Sequence, residues 1–203
     1  WEVALQRVRT IPNVRAASLT LYPPYSGLSA TRDLVRNGVL YQTYLHETSA
    51  AYFPTLGLRV VRGRPYTADE VKARAKVVLV SETLARDFWP GQDPVGQSLA
   101  PFDRSSDTVI GVVSDAVTGR LHRRTVAALY RPLQTFNHGG SLVVRTEGAP
   151  EAAVPALRDS LQRLDPPLRL DINLVATGLQ NEMEEPRIMA TLAAALASLA
   201  LAL

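Results

Sequence analysis

Three stretches in the middle of the chain decide its fold. They read YFPTLGLRVVRGR from Tyr52 to Arg64, VVLVSETLARDFWPGQDPVGQ from Val77 to Gln97, and VIGVVSD from Val109 to Asp115. The first stretch predicts a short helical turn that ends at a glycine, followed by an extended piece. The second predicts a buried strand and then a helix capped by Ser81, because a serine at this position accepts a bond from a free backbone N–H. The third predicts another strand.

The residue types in these stretches suit packing rather than catalysis. Glycine adopts a positive φ at little cost, so the glycines are expected at turns and helix ends. The Phe-Trp pair supplies apolar area for a small core, and the prolines stiffen the loop between helix and strand. The residues that form this structural signature are Tyr52, Phe53, Leu56, Gly57, Gly63, Arg64, Phe88, Trp89, Pro90, Gly91, Asp93, Pro94, Gly96, Gly111 and Asp115.

On the N-terminal side of these stretches the pattern predicts a helix and two strands. Apolar residues recur near helical spacing over Trp1–Thr10, and Pro12-Asn13 ends the helix. Val14–Tyr22 is mostly apolar and β-branched, which predicts a strand. We expect Pro23 to Gly38 to be a loop. The alternating residues from Gly38 to Ser49 predict the second strand.

On the C-terminal side the pattern predicts strand, helix and strand. Ser141–Thr146 is the first strand, Pro150–Leu164 the helix, and Leu168–Val175 a second extended piece after the break at Asp165-Pro166-Pro167. This order mirrors the helix-plus-strand unit at the start of the chain. We therefore predict a structural duplication, with the middle stretches inserted between its halves.

In their fixed order the middle stretches resemble the MacB-type periplasmic domain of FtsX-like permeases in ABC transporters. The resemblance continues in Leu129–Leu133, in the predicted strand Leu142–Thr146 and in the turn Leu164–Pro166. Pro186-Arg187, followed by an apolar run, is similar to the point where the chain of that family re-enters the membrane. The resemblance covers most of the chain from Thr48 onward.

The predicted fold class is α+β, arranged as a two-part extracytoplasmic domain. Residues 1–50 and 119–180 are expected to form a duplicated, βαβ-type, porter-like subdomain. Residues 51–118 are expected to form a small mixed α/β subdomain inserted into it. Residues 186–203 are expected to be the start of a truncated transmembrane helix.

The apolar run from Ile188 to Leu203 contains sixteen residues and no charge. As a helix rising about 1.5 Å per residue it would reach roughly 24 Å, short of the roughly 30 Å of a hydrocarbon core. A buried core helix could have this length. The run is apolar on every face and continues to the last residue, which favours a membrane helix and predicts that the chain is a fragment of a larger membrane protein. The preceding Glu182, Glu184 and Glu185 favour a position outside the cytoplasm.

The composition argues against several classes of protein. The net charge of +3 is spread along the chain rather than gathered in a basic stripe, so we predict no nucleic-acid partner. The absence of cysteine excludes thiolate metal sites and cysteine nucleophiles. His46, His122 and His138 stand far apart, and no P-loop or nucleophile-elbow motif occurs. We therefore predict no catalytic, cofactor-binding or metal-binding residue, and no enzymatic activity.

The resemblance implies a role in transport. It implies a non-catalytic domain of an ABC transporter permease subunit in the bacterial inner membrane, with this domain on the periplasmic or extracellular side. The domain would couple cytoplasmic ATP hydrolysis to export or extraction of a substrate by mechanotransmission, and would dock partner proteins. ATP would be bound by a separate cytoplasmic domain or subunit, so no cofactor is expected in this chain.

The partners implied by the resemblance are the cytoplasmic ATPase domain or subunit, a second permease copy, and the lipid bilayer through the C-terminal helix. Some members of the family also work with a periplasmic adaptor protein. Two other interpretations stay open. One is a membrane-anchored ligand-binding or sensor domain, and the other is a secreted hydrolase, for which the sequence offers no convergent acid, base and nucleophile. The sequence leaves the cargo and the direction of transport open.

Overall fold

The order of helices and strands follows the sequence pattern along most of the chain, and the two alternate only from α2 to α4. The computed structural model describes residues 1–99, 106–117, 127–134, 140–167 and 169–180. The helices are α1 (Glu2–Arg9), α2 (Tyr52–Leu56), α3 (Ala68–Lys72), α4 (Glu82–Phe88) and α5 (Val154–Gln162), with a 3₁₀ turn at Pro150–Ala153 before α5. The strands are β1 (Val14–Thr20), β2 (Ala30–Arg36), β3 (Val39–Thr48), β4 (Val60–Gly63), β5 (Val77–Ser81), β6 (Ser98–Leu99), β7 (Asp107–Val113), β8 (Ala128–Pro132) and β9 (Ser141–Thr146). The membrane helix predicted for 186–203 and the acidic group before it lie outside the described residues.

The strands in the described part of the chain form one mixed sheet. Its path runs β4-β7-β5-β8-β3-β1-β9, with β2 paired to β3 and β6 paired to β7. The β3–β8 and β5–β7 pairs are parallel, and the other pairs are antiparallel. The mixed α+β class predicted from the sequence is confirmed.

Strands from the predicted insert and from the flanking segments meet at one pair. Residues 51–118 supply β4 to β7, whereas the other strands come from either side of that segment. Among the strands that the structure describes, only β5 and β8 join the two groups, with Leu79 opposite Tyr130 and Val80 opposite Leu129. The division into two subdomains stays a prediction, but both groups of strands share a single sheet.

Each face of the sheet carries apolar side chains, because successive residues of a strand point to opposite sides. On one face, α1 and α5 pack through Val8 and Leu157 against Leu19 of β1. Further along the same face, Leu34 of β2 and Leu84 of α4 pack over β5, β7 and β8. The opposite face is covered by α2 and by the loop before α3. The layers therefore hold the helices on both sides of a sheet that spans the described structure.

A strand lies where the sequence pattern predicts a loop. The expected loop from Pro23 to Gly38 is wrong for its second half, which forms β2 and pairs with β3 along its whole length. Asn37 and Gly38 both have positive φ, 51° and 76°, as a two-residue type I′ hairpin turn requires. The strand is hard to read from the pattern because it carries three charged residues and buries Leu34 alone.

The strand predicted at Leu168–Val175 is also wrong over the residues that the structure describes. Residues 169–174 have no regular secondary structure, and residues 175–180 are helical. Leu170 instead packs individually against the core beneath α1 and α5. The second half of the predicted duplication therefore lacks its last strand in this part of the chain.

Two glycines allow the close approach of β4 to β7. Gly63 and Gly111 pair across these strands, and a Cβ at Gly63 would lie 2.2 Å from the carbonyl oxygen of Ile110. A Cβ at Gly111 would lie 2.7 Å from the carbonyl oxygen of Arg64. Since backbone atoms cannot move aside cheaply, both positions need glycine.

We expect Gly63→Ala to lower the free energy of unfolding by about 3 kcal/mol or more, because it combines overpacking with an unfavourable φ. The matched control is Gly27→Ala. Gly27 also has a positive φ, 73°, but has nothing within 4 Å of its added Cβ, so about 1 kcal/mol is expected. Urea unfolding of the two variants measures the difference. Equal losses would contradict the close approach.

Candidate functional site

Aromatic and polar side chains gather on the sheet face beneath α2, around the pairing of β5 with β8. We call His46, Tyr52, Phe53, Tyr66 and Tyr130 the junction cluster. The His46 ring stacks on the Tyr130 ring with centroids 4.9 Å apart. Phe53 lies against Tyr66 and Tyr130, at 5.3 and 5.6 Å between ring centroids. All five side chains are buried, so the cluster forms a continuous aromatic layer between the helix and the sheet.

The Tyr66 hydroxyl links the predicted insert to the flanking strands. It is hydrogen-bonded to the Thr48 hydroxyl at the end of β3 and donates to the Arg131 carbonyl oxygen of β8 at 3.3 Å. The Arg131 side chain in turn donates from Nε to Oε1 of Glu47 at 2.7 Å. This ion pair is largely buried, and loss of one partner of such a pair typically costs about 3–5 kcal/mol.

Burial fixes the protonation states of the junction cluster. It lowers the pKa of His46 to about 4, so the imidazole is neutral at pH 7. Burial also raises the pKa of Tyr52, Tyr66 and Tyr130, so these hydroxyls stay protonated. A general base needs a pKa near the working pH and access to a proton. The arrangement therefore suits packing and hydrogen bonding rather than proton transfer.

The Phe-Trp pair of the sequence signature packs under the β2–β3 hairpin. Tyr41 of β3 meets the Phe88 ring edge-on at 5.1 Å. The Arg36 guanidinium lies 5.4 and 5.6 Å from the ring centroids of Phe88 and Trp89, and donates to Oε1 of Gln92 at 3.0 Å. We call these contacts the hairpin clasp, because they hold the hairpin of the flanking segment against α4 of the predicted insert.

Three polar signature residues tie loops to neighbouring elements. Asp115 accepts bonds from the backbone N–H and the hydroxyl of Thr83, at 2.9 and 2.7 Å, in the first turn of α4. Asp93 accepts a bond from a backbone N–H two residues further on. Arg64 donates twice to Glu70, and this contact holds the pKa of Glu70 at about 2. The contacts of Asp93 and Arg64 stabilise local turns, whereas Asp115 joins the loop after β7 to the start of α4.

Most of the remaining signature residues are glycines and prolines that suit the local backbone conformation. Gly57, Gly63, Gly91 and Gly96 have positive φ, and Gly57 ends α2 in the left-handed conformation. Leu56 is half-buried, Pro90 is exposed and Pro94 is buried. The signature residues therefore fall into the junction cluster, the hairpin clasp, the close approach of β4 to β7 and several turns, and they do not converge on one reactive centre.

Parts of the junction cluster and of the hairpin clasp are hard to predict from the sequence. The Asn37-Gly38 dipeptide before the alternating run of β3 is a hairpin signal, and it is the one local feature that indicates β2 despite its charged residues. The wide spacing of the histidines bears only on metal binding, whereas the place of His46 in the alternating strand predicts a buried position. Nothing local marks Tyr66 or Arg36, because their partners lie far away in the sequence.

The described residues also bear on metal binding and on the predicted membrane helix. In the described ranges, no three side chains among His, Asp and Glu come close enough to hold a metal ion. Within the same ranges, no helix has both the length and the apolar character needed to cross a bilayer.

The fold defines a class of protein. It is shared with the periplasmic region of MacB from Actinobacillus actinomycetemcomitans, at a TM-score of 0.64 and 22% identity, over 89% of this chain and 81% of that one. It is also shared with the extracellular domain of the noncanonic ABC-type transporter YknZ from Gram-positive bacteria, at a TM-score of 0.58 and 15% identity, over 80% of each chain. This chain therefore has the fold of these two domains.

Sequence comparison narrows the class to a family. Residues 1–164 match the family described as the MacB-like periplasmic core domain, and the chain belongs to this family. The macrolide export ATP-binding/permease protein MacB of Aggregatibacter actinomycetemcomitans is 28% identical over 149 residues, which are 68% of this chain and 23% of that protein. MacB of Bdellovibrio bacteriovorus is 25% identical over 169 residues, 80% of this chain and 25% of that protein. The chain spans about a quarter of the length of these relatives, and the resemblance stated from the sequence is confirmed.

Removal of the Tyr66 hydroxyl tests the link across the junction. We expect Tyr66→Phe to lower the free energy of unfolding by about 1–3 kcal/mol, because buried partners lose their bond. The control is Tyr130→Phe, since the Tyr130 hydroxyl has no hydrogen-bond partner among the described residues. That variant should be neutral or slightly stabilised in urea unfolding. A larger loss in the free energy of unfolding for Tyr130→Phe than for Tyr66→Phe would contradict the role of the Tyr66 hydroxyl as the link across the junction.

The buried His46 predicts a pH dependence of stability. Its pKa is about 4 in the folded chain and 6.5 when exposed, so the folded state binds this proton less readily. The stabilisation is therefore complete above pH 6.5 and is lost as the pH falls towards 4, by on the order of 3 kcal/mol. His46→Phe keeps a ring and cannot titrate, so its stability should fall less over this window.

Unfolding of both proteins in urea at about pH 7 and about pH 4.5 measures the effect. Comparison with the variant is needed because carboxylates such as Glu70 also begin to lose their contribution as the pH falls below 4.5. Identical pH profiles for the two proteins would refute the role of His46.

Proposed function

We propose that this chain is the non-catalytic extracytoplasmic domain of an ABC transporter permease subunit, and that it transmits movement driven by ATP hydrolysis to the export or extraction of a substrate. The observation that carries the proposal is the way both groups of strands share one sheet across the β5–β8 pair. A domain that transmits movement must keep its shape while its ends are displaced. A shared sheet with cores on both faces has that property.

Contacts on the two faces of the sheet support this proposal. On one face, the hairpin clasp attaches the β2–β3 hairpin to α4 through Arg36, Phe88 and Trp89. On the other face, Tyr66 reaches Thr48 and the Arg131 carbonyl. Relative rotation of the two groups of strands would break contacts on both faces at once. The domain is therefore expected to move as one body.

The proposed partners follow from membership of the family. They are a cytoplasmic ATPase domain or subunit, a second permease copy, the lipid bilayer through the predicted helix at 186–203, and a periplasmic adaptor protein. The names of the relatives, which describe ATP-binding/permease proteins for macrolide export, support an ATP-driven exporter. The domain would lie on the periplasmic side of the bacterial inner membrane and bind no cofactor itself.

Spin-label distances in the full-length permease with its ATPase, reconstituted in nanodiscs, test the proposal. Labels on cysteines at the exposed positions Gln6 and Lys72 report the distance between α1 and α3 within one copy. A label at Gln6 alone reports the distance between two copies. On trapping with ATP and vanadate, we expect the distance between copies to shift by several ångströms and the distance within a copy to stay constant.

The matched control is the same pair of samples with ADP in place of ATP and vanadate, so that nucleotide binds without turnover. Constant distances in every state would indicate a static domain and favour a membrane-anchored ligand-binding or sensor module. A change confined to the distance within one copy would refute transmission by a single body.

A further inference from the structure

Tyr25 contacts two segments that are far apart in the sequence. Its hydroxyl donates to the carbonyl oxygen of Val117, beyond the end of β7, at 2.5 Å. Its backbone has a φ of 55°, a conformation that is uncommon for residues other than glycine. The Ser26 hydroxyl closes the same loop by donating to the Pro23 carbonyl oxygen at 2.9 Å. The loop thus holds Tyr25 in a conformation that points its ring across to Val117.

The backbone of Tyr25 also lies against the helical segment 175–180. A Cβ at Gly178 would be 2.7 Å from the Tyr25 carbonyl oxygen and 3.1 Å from the Tyr25 Cβ. Glycine at this position therefore lets the helix rest directly on the loop. Gly178 itself is part of the helix, since its N–H donates to the Leu174 carbonyl oxygen at 3.2 Å.

We propose that Tyr25 is a coupling residue that joins segment 174–180 to the loop 114–117 after β7. The inference rests on the proposed function, in which 174–180 precedes the predicted return to the membrane. A displacement of 174–180 would reach the Tyr25 backbone through Gly178. The Tyr25 hydroxyl would then transmit the displacement to 114–117. From there it would reach α4, because Asp115 accepts hydrogen bonds from Thr83. This route reaches the predicted insert without using the β5–β8 pair.

Hydrogen exchange followed by mass spectrometry on the purified 203-residue chain in detergent tests the coupling without ATP or transport. Tyr25→Phe removes only the hydroxyl, and we expect about five- to tenfold faster exchange in peptides covering 114–117, the factor that one net hydrogen bond supports. Gly178→Ala disturbs the other contact. It should speed exchange in 23–27 and, through Tyr25, in 114–117.

The decisive comparison is the double variant. If Tyr25 carries the coupling, Gly178→Ala adds nothing at 114–117 once Tyr25 is Phe. The glycine control is Gly148→Ala, at an exposed turn where nothing lies within 4 Å of the added Cβ, and it should leave 114–117 unchanged. An effect of Gly178→Ala at 114–117 that persists beside Tyr25→Phe, or no effect at all, would overturn the coupling while leaving the proposed transport role untouched.

Discussion

The antiparallel pairing of β5 with β8 is the contact on which the rest of the structure depends. Tyr130 lies at this pair, opposite Leu79 on β5 and opposite His46 on β3. β8 pairs with β3 on one side and with β5 on the other, so it joins segments of the sheet that are distant in the sequence. The hairpin clasp and the junction cluster then cover the two faces of the same region. The fold is therefore held at its centre rather than at its ends.

The chemistry of the junction cluster favours packing over proton transfer. Burial keeps the His46 imidazole neutral and the tyrosine hydroxyls protonated. Aromatic rings contribute large buried areas and prefer edge-on or offset contacts, which favour one relative orientation of the packed elements. The same residue types that serve as acids and bases in an open cleft therefore act here as shaped packing groups, with Tyr66 supplying the hydrogen bonds across the junction.

These features fit the family to which the chain belongs. Under the proposed function, the domain acts through its shape and through the segments that connect it to its surroundings. The central sheet provides the shape, and Tyr25 provides a second connection between the described C-terminal segment and the loop after β7. The two connections differ in kind, since one is a buried strand pair and the other a single side chain at the surface.

Local patterns in the sequence determined the strands β3, β5 and β7, the cap of α4 at Ser81 and the end of α2 at Gly57, because periodicity, capping and glycine act over a few residues. They did not reveal β2, whose charged residues hide its single buried position. They wrongly indicated a strand near Leu170, because a locally extended pattern does not supply a pairing partner. Only the tertiary structure decided which distant residues meet, since a contact such as Tyr66 with Arg131 joins positions 65 residues apart and no local pattern reaches that far.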